Sequence, residues 1–154
     1  MAHLLAPKKP DPTLPVFFNV DGVVGAAPAQ NKREDVLLVQ FGFKILADSP
    51  RPGTPPALLA AARAVRVTGV SDAPTVTAIR SLQQSLKEGA AGTVVDGRVS
   101  PARSDYSYGA GLWSIVQLNE FIQGRNVDLW PRIDKVPGCP DGLKQMVIRT
   151  VAGT

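Results

Sequence analysis

The chain has 154 residues, 44% hydrophobic and 19% charged, enough for one domain with a buried core and too few for two comfortable ones. Its formal charge of +4 is what keeps a small domain soluble, and its basic residues are scattered rather than interleaved with aromatics, so specific nucleic-acid binding is not expected. A single Cys and a single His rule out an internal disulfide and the usual zinc site, and no apolar run approaches the roughly 18 residues of a membrane span.

The N-terminal stretch carries Pro7, Pro10, Pro12 and Pro15, with Lys8 and Lys9 between the first two. Prolines at that density fix φ and remove backbone donors, so residues 1–25 are expected to form an extended arm that lies along a neighbouring subunit. Leu4-Leu5-Ala6 is too short for the apolar core of a secretory signal, so the expectation is a chain made in the cytoplasm. Residues 16–20 read as a short strand ended by the turn pair Asp21-Gly22.

A helix is predicted from Asn31, with Asn31 as N-cap and Glu34 completing a capping box. Val36, Val39, Gln40, Phe43, Leu46 and Ala47 recur at helical spacing and mark its buried face, and Asp48–Gly53 ends it. Thr54 as cap and proline in the first turn predict a short second helix, and residues 65–68 alternate like a strand. A further helix opens at Asp72, buries Val76, Ile79, Leu82, Gln83 and Leu86, and closes near Gly89 as a C′ residue. Residues 93–99 read as a hairpin about Asp96-Gly97. The pattern Leu112, Ile115, Val116, Asn119, Ile122 predicts a helix over 105–123, and Leu143, Met146, Val147 and Ile148 a last one over 141–151.

Two of these segments rhyme. Glu34-Asp35-Val36-Leu37-Leu38-Val39-Gln40 and Thr75-Val76-Thr77-Ala78-Ile79-Arg80-Ser81-Leu82-Gln83 each end an apolar stripe on Gln, and Asp96-Gly97-Arg98-Val99-Ser100-Pro101 follows the second. In order and spacing, residues 31–103 resemble the peptidoglycan-binding-domain family, a small three-helix module of wall hydrolases and phage lysins. The resemblance implies a mainly α fold: a small orthogonal helical bundle with a short hairpin over 26–124, interrupted by an insertion at 50–68. An extended N-terminal arm would precede it, and a C-terminal helical extension over 125–154 would follow. Ser71 and Ser100 stand where the family has turn glycines.

Arg80, Gln83, Asp96 and Arg98 are the candidate ligand-binding residues implied by that match. Each also has an ordinary structural reading. Gln40 and Gln83 suit an amide bonding the backbone of a nearby turn, Asp96 a turn residue bonding its own backbone, and Arg80 and Arg98 solvated rim residues. Trp113 and Trp130 suit sugar stacking or core filling. No pair of carboxylates is singled out by spacing, and there is no phosphate loop or nucleophile elbow. Cys139, between Gly138 and Pro140, has no His nearby in sequence. The residues thus point to a non-enzymatic protein without cofactors: a structural component of a phage virion or similar particle whose partners are other protein subunits. The alternative is a module that binds peptidoglycan and anchors a partner to the sacculus.

Overall fold

A computed structural model describes residues 2–6, 14, 16–102 and 113–152. Pro7, Lys8, Lys9, Pro10, Pro12 and Pro15, on which the predicted arm rests, lie outside the described residues, as do 105–112 of the helix predicted over 105–123. The described chain is mainly α, with five α-helices and two small two-stranded antiparallel sheets.

Strand β1 (His3–Leu5) pairs with β2 (Phe17–Asn19), Leu4 opposite Phe18. Ala2, Leu14, Phe17 and Phe18 are buried in the chain's own core. The described parts of the N-terminal segment therefore fold back on the domain, because Phe17 and Phe18 supply an apolar strand on which the Leu4 edge can pair.

Helix α1 (Arg33–Asp48) is the central element, in contact with β3 (Val24–Gly25), α2 (Pro56–Arg63), α4 (Ser114–Arg125) and α5 (Asp141–Val147). It is buried nearly all round, from Asp35 through Phe43, rather than on one stripe. At Gly42 a Cβ would come within 3.0 Å of the Leu118 side chain, so glycine lets α1 and α4 approach. The predicted capping box does not form: Asn31 adopts φ 52° and Lys32 holds the N-cap position without a side-chain bond. The Asn31 amide instead accepts from the Gly25 amide at 2.7 Å and donates to the Gly25 carbonyl at 3.1 Å, closing the loop that precedes the helix. Glu34 pairs with Arg149.

Asp35 does a task the sequence did not announce. Fully buried, its carboxylate accepts from the backbone amides of Asp21 (3.1 Å) and Gly22 (2.9 Å), pinning the turn after β2 to α1.

Thr54 does not cap α2; its hydroxyl donates to the Arg51 carbonyl, and Pro55 precedes the helix. Residues 65–68 form no strand, because the Val65 amide turns back to Ala62 and the Thr68 amide is taken by Gln40. The segment 50–68 is thus α2 and its linkers, packed on α1 and on α3 (Ala73–Gly89). α3 opens at Asp72 as predicted, and the Asp72 carboxylate caps it, accepting from the Thr75 amide and hydroxyl, while Gly89 is the last helical residue rather than C′.

The Asp96-Gly97 turn is present, but residues 93–95 are not a strand partner. β4 (Arg98–Val99) pairs with β3 instead, Val99 opposite Val24 and Arg98 opposite Gly25. A Cβ on Gly25, whose φ is 126°, would run into the Gly97 carbonyl oxygen, so that pairing requires glycine.

In its described part the helix predicted over 105–123 is α4, ending one residue past Gly124. Its inner face, Ile115, Val116, Asn119 and Ile122, is buried as read from the pattern. The Asn119 amide accepts from the Phe18 amide at 2.7 Å and donates to the Phe18 carbonyl at 2.8 Å, standing in for a neighbouring strand. Asn19 does the same for both backbone groups of Ala102.

The C-terminal segment joins the same core: Ile133, Leu143, Met146 and Val147 are fully buried, and a π-helical turn (Ile148–Ala152) continues α5. Trp130 packs edge-on against Phe18, ring centroids 5.6 Å apart, with its Nε1 buried and unbonded, so it fills core rather than meeting a sugar. Among the described residues no helix is long and apolar enough to cross a membrane.

Candidate functional site

Two glutamines organise the molecule in the same way. Gln40, near the middle of α1, accepts from the Thr68 and Gly69 amides, both at 2.9 Å, and donates to the Val70 carbonyl and the Thr75 hydroxyl. Gln83, on α3, accepts from the Asp96 (3.1 Å) and Gly97 (2.9 Å) amides and donates to the Asp96 carboxylate and the Arg98 carbonyl. In each case a buried amide grips a three-residue turn centred on a left-handed glycine, Gly69 at φ 81° and Gly97 at φ 72°. An arginine side chain lies over each: Arg33 against Gly69, Arg80 against Gly97, where a Cβ would meet guanidinium atoms at 3.0 and 2.8 Å. The rhyme between the two helical segments is therefore a shared geometry, a helix-borne Gln holding a turn by its backbone.

The second clasp borders a surface cleft of about 420 Å³. Its floor and walls include Gln83, Asp96 and Arg98 together with Thr93, Val94 and Trp113. Three of the four candidate binding residues thus converge. Arg80 is not among the residues lining the cleft: it is exposed, and its side chain covers Gly97.

Each converging side chain has a definable share of free capacity. Gln83 is spent on the clasp. One Asp96 carboxylate oxygen accepts from the Arg98 amide at 2.9 Å, closing a turn on its own backbone, and from Gln83. The Arg98 guanidinium lies 3.8 Å from the other Asp96 oxygen, a loose contact between two partly exposed groups worth well under about 1 kcal/mol. The rest of the Arg98 fork has no partner among the described residues and can take a carboxylate bidentately. Trp113, half-buried at the start of α4, gives an aromatic wall, and Val94, 67% exposed, an apolar rim.

Val94 and Thr93 escaped the sequence reading. The signal lay in Val94-Val95, two apolar residues placed next to an Asp-Gly turn, where a solvated hairpin would favour polar ones.

Elsewhere the chemistry is quiet. Burial pushes the Cys139 thiol up to about 12, so it is protonated and unreactive at neutral pH. The Arg132 guanidinium, bonded at 2.8 and 2.7 Å, holds the Asp134 carboxyl below its usual range, and the Thr75 hydroxyl does the same for Asp72. Among the described residues no group of three or more His, Cys, Asp or Glu side chains is placed to hold a metal ion. Comparison with models of protein families, with characterised proteins and with solved structures yields no match to this chain.

Proposed function

We propose that the chain is a non-enzymatic recognition module on a peptidoglycan-binding-like helical scaffold, and that the cleft beside the Gln83 clasp takes a cell-wall glycopeptide. One observation carries this reading: Asp96 and Arg98, set by Gln83, share a single cleft with Trp113 and Val94. A muropeptide offers what these groups bind, namely sugar rings for the indole face, methyl groups for the valine, and stem-peptide carboxylates for the guanidinium. The paired Gln clasps add support, since they place both arms of the family-like motif in one geometry. Among the described lining residues Asp96 is the one acidic side chain, and it is engaged in its turn, which favours binding over the two-carboxylate chemistry of glycoside hydrolysis.

Co-sedimentation with purified sacculi tests the reading. The wild type is expected in the pellet, and Arg98→Ala, at a partly exposed side chain, is expected to weaken retention about tenfold with little change in melting temperature. A wild type that stays in the supernatant contradicts it.

A second reading, a structural component of a virion or comparable assembly, rests on a different observation: Arg51, just past α1, and Arg125, at the end of α4, have no carboxylate partner among the described residues. On that reading the scaffold is kept for contact with other subunits. Light scattering separates the two: a discrete assembly with no retention on sacculi favours the second.

A further inference from the structure

A second cleft, of about 330 Å³, opens between the C-terminal ends of α1 and α4 and the facing parts of α2 and α3. Leu46, Leu58, Leu82 and Leu86 form an apolar floor, and Arg51 and Arg125 stand on its lining. Both arginines are held by backbone carbonyls. Arg51 donates to Gly124 at 2.5 Å, while Arg125 donates to Ser49 at 2.6 Å and Phe121 at 3.1 Å and lies over the Phe121 ring. Each thereby satisfies the end of the other's helix, which fixes the two guanidiniums side by side.

That arrangement leaves like charges unbalanced. Desolvation, and secondarily the neighbouring Arg51 charge, lowers the Arg125 guanidinium from its ordinary range. Among the described residues Glu120 is the one acidic side chain lining the cleft, against two arginines. Ser85 and Gln117 also line it, and neither side chain makes a hydrogen bond among the described residues. An apolar floor, a forked cationic rim and free amide and hydroxyl groups form a set complementary to a chain terminus: one apolar side chain, one carboxylate and one stretch of backbone. A fatty acid would use the floor and the arginines but leave Ser85 and Gln117 unused.

We propose that this cleft docks the free C-terminus of a partner polypeptide ending in an apolar residue, its carboxylate bridging Arg51 and Arg125 and its last side chain seated on the leucine floor. The site deepens the assembly reading by naming the kind of subunit contact involved. It is separate from the Gln83 cleft, so either can fail without the other.

The probe is the peptide acetyl-Ala-Ala-Leu with a free carboxylate, titrated into the isotope-labelled full chain and followed by amide and guanidinium NMR shifts. Saturable shifts are expected at Arg51, Arg125, Leu82 and Phe121, with at least tenfold weaker binding of the C-terminal amide. Arg51→Ala should abolish them. Since loss of Arg51 also removes a helix-end bond, Ser85→Phe provides an independent block that fills the cleft and leaves both arginines in place. Equal binding of acid and amide, shifts that survive Ser85→Phe, an absence of shifts at millimolar peptide, or saturation by dodecanoate but not by the peptide would each overturn the proposal.

Discussion

Replacing Gln83 by Leu keeps volume and apolar packing while deleting an amide that makes four hydrogen bonds. Each such bond contributes a net of roughly 0.5–1.5 kcal/mol, and a buried donor left unpaired costs about 1–3 kcal/mol. The Gly97 amide is buried and cannot recover its partner from water, whereas the Asp96 and Arg98 groups are part-buried and regain some hydration. The sum is about 3 kcal/mol, which for a chain of this size corresponds to a fall in Tm of roughly 6–12 °C. Urea unfolding followed by circular dichroism, with thermal melts beside it, measures both quantities. Arg80→Ala is the companion variant. Its side chain is exposed and makes no hydrogen bond among the described residues, so its loss should stay within about 0.5 kcal/mol. A Gln83→Leu cost below about 1 kcal/mol, or an Arg80→Ala cost equal to it, would refute the view that the clasp organises the turn.

Other consequences are as direct. Asp35→Ala strips two amides of a carboxylate acceptor in the core and should cost about 2–4 kcal/mol in urea unfolding; a neutral effect would mean that the 21–22 turn holds itself. Arg132 holds the Asp134 carboxyl below the ordinary carboxylate range, and Thr75 does the same for Asp72. A depressed carboxyl contributes stability that is complete above its unfolded value and disappears as pH falls through the lower folded one. Melting temperature should therefore drop as pH falls below about 4, and drop less steeply in Asp134→Asn; parallel curves would contradict the Arg132 pairing. The Cys139 thiol, raised to about 12 by burial, should resist a thiol-disulfide reagent at pH 8 in the native chain and react promptly in denaturant. Rapid native labelling would show the site to be open.

The helices were legible because their apolar spacing was strong, and Gln40 and Gln83 because an amide at the end of an apolar stripe needs a partner. Two of the errors have a common physical origin. Asn31 and the 93–99 segment follow local rules for a cap and a hairpin, but in both a partner farther off in sequence took the group, while Thr54 turned to the nearby Arg51 carbonyl. Asn31 is drawn to Gly25, Gln83 takes the amides of the Asp96-Gly97 turn, and Val24-Gly25 takes the strand that follows. Asp35, Asn19 and Asn119 carry the same lesson. A buried polar side chain paired with backbone 14, 83 or 101 residues away leaves no local pattern to read. Of the candidate cleft, the polar members were legible as part of a motif and Trp113 as an aromatic suited to stacking. Val94 was not, since it reaches the cleft only when the turn is clasped against α3.

The most direct test of the central claim is a titration of the isotope-labelled chain with a soluble muropeptide bearing the stem-peptide carboxylate. The account predicts saturable amide shifts confined to residues 92–100, the Trp113 indole and Gln83, lost in Arg98→Ala and unaffected by Arg51→Ala. Shifts absent throughout, or located away from the Gln83 clasp, would contradict it.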